Sequence, residues 1–226
     1  MQLLLSLGAP VNTPALIPDL YTAFKPPKPG FLSPLAGAAG AGHLAACRLL
    51  LAHGANIDPG MRESSSSPLH QACRADDPDM AAFLLAHGAD VDGLNCYKTT
   101  PLMYAVKYGS ARLVRLLLSH APDLEVRSFI GTAAIHWAIW PGHEDLVELL
   151  LQAGADPDMR VADGATPLHC AATSGLTEVC RVLVRYGADP GKRNEAWELP
   201  GQVARERGYA ECAEVLEGAM EAMRKK

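Results

Sequence analysis

The chain alternates between short segments with helical hydrophobic periodicity and loops rich in glycine, aspartate and asparagine. In residues 100–125, the apolar positions are Leu102, Ala105, Val106, Leu113, Val114, Leu117 and Leu118. They fall into two groups that follow the three- and four-residue spacing of an amphipathic helix. Gly109 separates the two groups. The segment therefore predicts two short helices that fold back on each other as a hairpin.

The same pattern recurs along most of the chain. The second residue of each copy is Pro34, Pro68, Pro101, Ala134, Pro167 or Pro200. The first step between these positions is 34 residues and the next four are 33 residues each. A fixed period in this range indicates supersecondary units that bury their apolar faces only by stacking on neighbours. We therefore expect an all-α solenoid.

Several short motifs in these copies resemble the ankyrin repeat. They are TPLH at 166–169, GH at 42–43 and 142–143, and LLAHGADVD at 84–92. The resemblance runs from Ser33 to the end of the chain. It implies an ankyrin-repeat solenoid of stacked helix-loop-helix units with β-hairpin loops. It also implies an L-shaped stack with a concave face made of the first helices and the hairpin tips.

The period divides the chain into predicted segments: a half ankyrin repeat at 1–12 as the N-terminal edge, a proline-rich insertion loop at 13–32, repeats 1 to 5 at 33–66, 67–99, 100–132, 133–165 and 166–198, and a C-terminal capping repeat at 199–226. The insertion either covers the open apolar end or serves as a docking segment for a proline-recognising module. We expect a monomer, with a dimer through the N-terminal edge as the alternative.

Two departures from the pattern lie near the middle of the chain. Ala121 and Pro122 replace the Gly-Ala pair that follows the second helix elsewhere. Pro141 takes the last position of a first helix, where we expect it to remove a hydrogen bond and to push Trp140 toward an extended conformation. Two interpretations of Trp137 and Trp140 follow: they fill a gap in a distorted stack, or they form an exposed aromatic patch.

Histidine and cysteine, the residues most often used in catalysis and metal binding, recur at the structural period. His70, His136 and His169 share one position of the repeat, where we expect the imidazole to bond to neighbouring backbone. We expect four cysteines to be buried and Cys96 and Cys170 to be partly exposed. The chain has no CxxC pair, phosphate-binding loop, GxSxG elbow or HExxH pair. We therefore predict a protein without enzymatic activity, cofactor or metal.

Net charge and hydropathy argue against nucleic acid as a partner and against a membrane-spanning helix. The formal net charge is -5, so no basic field favours nucleic acid. No apolar run reaches the roughly 18 residues that a membrane-spanning helix needs. Reduced cysteines are typical of an intracellular protein, and we expect a cytoplasmic or nuclear location.

The positions that vary between copies point to a binding surface. Six of the 13 aromatic residues lie between Tyr97 and Trp140, at hairpin tips or on first-helix positions that the core does not use. The predicted partner-binding residues are Arg74, Tyr97, Tyr104, Lys107, Tyr108, Phe129, Ile130, Trp137 and Trp140. Their basic members suit an acidic peptide. We predict a scaffold or adaptor that binds another protein or peptide on the concave face. The alternative is a targeting or regulatory region of a larger enzyme, receptor or ubiquitin-ligase component.

Overall fold

The fold is described from a computed structural model that covers residues 11–12, 15–16, 31–59 and 66–225. Within these residues there are twelve helices: α1 Pro34–Gly40, α2 Leu44–Ala52, α3 Pro68–Arg74, α4 Pro78–Ala86, α5 Pro101–Lys107, α6 Ala111–Leu118, α7 Ala134–Ile139, α8 Glu144–Gln152, α9 Pro167–Thr173, α10 Thr177–Arg185, α11 Pro200–Glu206 and α12 Ala210–Arg224. Two short strands, β1 Ala15–Leu16 and β2 Phe31–Leu32, pair antiparallel. The all-α fold expected from the hydrophobic pattern is confirmed.

Most of the predicted half repeat, and with it the suggested dimer edge, lies outside the described residues, as does most of the proline-rich insertion. Each of the spans 33–66, 67–99, 100–132, 133–165, 166–198 and 199–226 contains two helices. The boundaries of the repeats themselves stay predictions.

Four of the six first helices, α1, α3, α5 and α9, begin where a serine or threonine precedes a proline. The Ser33 side chain accepts a hydrogen bond from the backbone N–H of Ala36 at 3.1 Å, and Thr100 accepts one from Met103 at 3.3 Å. Such a cap satisfies one of the N–H groups that a helix start leaves without a partner. Asp77 caps the second helix α4, and its carboxylate accepts a hydrogen bond from Met80 N–H at 2.9 Å. These local caps account for the starts of these helices.

The ends of second helices differ at one position. Four of them are followed by glycine in the left-handed conformation, with φ between +82° and +98°. After α6 that position is Ala121, which adopts φ +51°. A residue with a Cβ is strained there by about 1 kcal/mol. The lost glycine cap is thus replaced by a strained alanine rather than by a different turn.

The expected extended conformation of Trp140 is wrong. Its φ of -58° and ψ of -41° lie in the helical region, and its N–H donates to the carbonyl of His136 at 3.2 Å. The preference of a residue before proline for extended backbone is a bias, and this hydrogen bond outweighs it. Pro141 lies just beyond the helix, so α7 has 6 residues where the other first helices have 7.

The chain divides into an N-terminal unit, Met1–Pro122, and a C-terminal unit, Asp123–Lys226. In the N-terminal unit α1, α3 and α5 pack in sequence, each against its own second helix, and α4 packs on α6. Its core consists mainly of fully buried leucines: Leu35, Leu50, Leu69, Leu84, Leu102, Leu113 and Leu117.

The C-terminal unit repeats this arrangement. Its first helices α7, α9 and α11 pack in sequence, as do the second helices α8, α10 and α12. Its buried core includes Ile135, Ile139, Leu146, Leu150, Leu168 and Leu183. No helix in the described part of the chain combines the length and apolar character needed to cross a bilayer.

Candidate functional site

Three of the predicted binding residues form a connected group in the N-terminal unit, which we call the tyrosine cluster: Tyr104, Lys107 and Tyr108 on or next to α5. The rings of Tyr104 and Tyr108 meet edge to face, with centroids 6.2 Å apart. The ammonium of Lys107 lies 5.7 Å from the Tyr108 ring centroid, within the range of a cation–π interaction. Tyr108 is 48% exposed, so the cluster presents an aromatic surface to solvent.

Tyr104 anchors this cluster because its ring is half-buried and its hydroxyl is bonded. The ring lies edge-on to His70, with centroids 5.3 Å apart, and the hydroxyl accepts a hydrogen bond from Asn95 Nδ2 at 3.2 Å. Burial raises the pKa of Tyr104 to about 12, and the nearby Tyr108 adds to the effect. The phenol therefore stays neutral at physiological pH and acts as a positioning group.

Tyr97 and Arg74 are the other two predicted residues of this unit. Tyr97 is 42% exposed, and the side chain of Asn95, which also bonds to Tyr104, accepts its backbone N–H at 2.9 Å. One buried asparagine thus positions both the loop and the cluster. Arg74 is exposed at the end of α3, where its Nε donates to Gln71 Oε1 at 2.9 Å.

In the C-terminal unit, Phe129 and Ile130 occupy the tip of a tight turn. The N–H of Ser128 donates to Thr132 O, and that of Gly131 donates to Ser128 O, both at 2.9 Å. Gly131 has φ +79°, and a Cβ there would lie 3.3 Å from Ala162 Cβ. This rigid turn leaves Phe129 77% and Ile130 53% exposed.

The two predicted tryptophans occupy different environments. Trp137 is half-buried, and its indole N–H donates to Thr132 Oγ1 at 3.0 Å, which ties α7 to the turn at 128–132. Trp140 is 48% exposed and meets Trp137 edge to face, with centroids 5.9 Å apart. The pair therefore combines an anchored ring with an accessible one.

Sequence reasoning missed Trp197, which is 77% exposed in the C-terminal unit. It adopts φ +65°, a conformation that is a clear outlier for a bulky residue. Gly131 and Gly164 take the same left-handed conformation three residues before their own anchor positions. Trp197 also lies three residues before its anchor position, Pro200, so aligning the repeats would have predicted an exposed indole at a third hairpin tip.

The histidines serve as structural groups. The His136 ring accepts the backbone N–H of Ala133 at 3.2 Å and bonds to Met159 O at 3.0 Å. His169 does the same with Thr166 N–H and Glu198 O. Burial lowers the pKa of His136 to about 4 and lowers that of His169. The expected backbone bonding is confirmed, and among the described residues no cluster of histidine, cysteine or acidic side chains is placed to hold a metal.

The predicted residues therefore fall into two sets, one in each unit. The N-terminal set contains Arg74, Tyr97 and the tyrosine cluster; the C-terminal set contains the turn with Phe129 and Ile130 and the tryptophan pair. The prediction that both sets line one groove stays a prediction.

Comparison with known proteins adds the family. A model described as ankyrin repeats in three copies matches residues 14–95, 92–161 and 131–194. A search of curated proteins found no match to the chain. The family model covers most of the chain, and the paired helices with left-handed glycines at their ends have the form that its motifs imply. The chain belongs to the ankyrin-repeat family.

Proposed function

We propose that this protein is a scaffold or adaptor that holds a partner protein or peptide on exposed aromatic side chains of its first helices and hairpin tips. Ankyrin repeats are generally protein–protein interaction modules and are typically non-enzymatic. The fold alone does not select a partner, because specificity resides in the variable surface. The proposal therefore rests on that surface.

The turn with Phe129 and Ile130 carries the proposal. These two adjacent apolar side chains are 77% and 53% exposed, at positions where water would hydrate a polar side chain more favourably. The turn is held by backbone hydrogen bonds and by the Ser128 hydroxyl paired with Thr132 at 2.6 Å. A preorganised apolar tip loses little conformational entropy when it enters a pocket on a partner. The tip is suited to act as an anchor.

The N-terminal set supports a contact of different character. Tyr108 and Tyr97 offer rigid amphipathic area, which is enriched in binding hot spots. Lys107 and Arg74 add positive charge on the neighbouring helices, in a chain whose formal net charge is -5. A peptide with acidic residues and an apolar or aromatic side chain fits this surface. Binding such a peptide also fits the alternative function of this chain, which is to be a targeting or regulatory region of a larger enzyme, receptor or ubiquitin-ligase component.

A displayed peptide library selected against the full chain tests the proposal. The affinity of the selected peptides is then measured for the wild type and for a Phe129→Ser, Ile130→Ser double variant. Met223→Ser is the matched control, because Met223 is 41% exposed in the same unit but lies on α12. We expect the double variant to weaken binding by about 30-fold or more, the effect of a hot spot.

The N-terminal set is tested in the same way with Tyr108→Ser against Leu94→Ser, since Leu94 is 42% exposed in that unit. Circular dichroism checks that each variant keeps its helical content. Selected peptides that bind both aromatic variants as tightly as the wild type would refute the proposed surfaces.

A further inference from the structure

Two cysteines of the C-terminal unit meet in its core. Cys180 on α10 and Cys212 on α12 are 0% and 1% exposed, and their Sγ atoms lie 3.4 Å apart. Both are free thiols. We propose that this pair is an oxidative modification site, at which a peroxide converts the two thiols to an intrachain disulfide that fastens the last helical hairpin to the one before it.

The packing of the two second helices brings the sulfurs together. The residues are 32 positions apart, close to one repeat, so stacking places them at neighbouring points of α10 and α12. On the surface beside them, Arg181 donates to Glu211 at 3.1 Å, and both are the chain neighbours of the cysteines. This ion pair joins the two helices at the surface. A disulfide needs an S–S distance of about 2.0 Å, so side-chain rotation has to close about 1.4 Å.

The chemistry balances with hydrogen peroxide as the oxidant. The Cys212 sulfur attacks one peroxide oxygen; an S–O bond forms, the O–O bond breaks, and the departing hydroxide takes up the thiol proton as water. The Cys180 sulfur then attacks the sulfenic sulfur; the S–S bond forms, the S–O bond breaks, and the second oxygen leaves with the Cys180 proton as water. Two thiols and one peroxide give one disulfide and two waters.

The hydrogen bond between the thiols supports this order of events. When Cys180 donates its S–H to Cys212, the donation lowers the pKa of Cys212 and raises that of Cys180. The thiolate is the nucleophile in cysteine oxidation, so Cys212 is the first to react.

Because both cysteines are buried, the reaction requires the helices that cover them to open. In a repeat protein, single helical pairs open at a lower free energy than the whole chain needs to unfold. We expect peroxide to reach the pair when α12 lifts from α10. The disulfide then prevents further opening, so the oxidised chain holds its last hairpin more tightly than the reduced one.

Peptide mapping of the native full chain after hydrogen peroxide treatment tests the proposal. Trypsin cleaves after arginine, so it releases Cys180 in the peptide 161–181 and Cys212 in the peptide 208–224. The first peptide also contains Cys170, so the experiment uses a Cys170→Ser background. We expect a cross-linked product of the two peptides that has lost two hydrogen atoms and that dithiothreitol separates again. It disappears in Cys212→Ala.

The N-terminal unit offers a matched control. Cys47 follows Pro34 by the same 13 positions that separate Cys180 from Pro167, but Met80 takes the position that corresponds to Cys212. Cys47 is therefore expected to stay out of intrachain disulfides in the wild type.

Hydrogen exchange measures the structural effect. Amide protons of α12 should exchange on the order of 100-fold more slowly in the oxidised chain, as expected from closing a loop of this length. A cross-link that forms only in denaturant, or native oxidation that leaves α12 exchange unchanged, would overturn the proposal. Failure of the pair to cross-link under peroxide that oxidises Cys170 in the wild type would also overturn it.

Discussion

Acidification should destabilise the C-terminal unit through His136, which is buried at 0% exposure. Its neutral ring accepts the Ala133 N–H at Nδ1 and bonds to Met159 O through Nε2. A second proton on the ring would face the Ala133 N–H donor and place an unsolvated charge in the core. Burial is the main cause of the fall in the pKa of His136 from 6.5 to about 4.

The direction of the effect follows from proton binding. Because the folded pKa lies below the unfolded value, the unfolded chain binds more protons between about pH 4 and pH 6.5. The contribution of His136 to the free energy of unfolding is complete above this range and is lost as the pH falls through it. From about pH 8 to about pH 5, the loss is about 2 kcal/mol. His169, whose pKa is also lowered, adds to it.

Tryptophan fluorescence offers a probe of this unit, because all three tryptophans of the chain lie within it at 137, 140 and 197. We propose urea unfolding of the wild type and His136→Gln over about pH 5 to pH 8. At the upper limit of this pH range, the variant should have a lower free energy of unfolding than the wild type. On acidification it should lose about 2 kcal/mol less of that free energy than the wild type does.

A control and a refuting result complete this experiment. The exposed His120 belongs to the other unit, and His120→Gln should leave the fluorescence-detected pH dependence unchanged. An identical loss of stability in wild type and His136→Gln would refute the reasoning, since titration of that ring would then contribute nothing.

Three further substitutions test the packing and the turns by urea unfolding. Leu117→Ala should cost about 2–5 kcal/mol because Leu117 is fully buried, and an unchanged midpoint would contradict that placement. Ala121→Gly should add about 1 kcal/mol by relieving the left-handed alanine, whereas a loss of stability would argue against strain there. Arg160→Ala should cost about 1 kcal/mol and speed amide exchange nearby, because its guanidinium donates to Gly164 O and Arg193 O at 2.9 Å; unchanged exchange would argue against this role.

The sequence alone determined the local structure of this protein. Helix starts at Thr100 and Asp77 follow from hydroxyl or carboxylate caps next to proline, and the helical pairs follow from hydrophobic spacing. The role of His169 followed from its recurrence at the repeat period. The helix starts and the helical spacing depend on interactions between residues close in the chain, and the bond of His169 to Glu198 O recurs because each repeat stacks in the same way.

Tertiary structure decided the features that depend on stacking or on competing local preferences. Trp140 is helical despite the proline after it because a backbone hydrogen bond outweighs the steric bias. Trp197 is exposed at a strained tip, and Cys180 meets Cys212 across two helices. A repeat pattern shows which positions are equivalent, but only the packing of one helical pair on the next determines which side chains touch and how far each stays exposed.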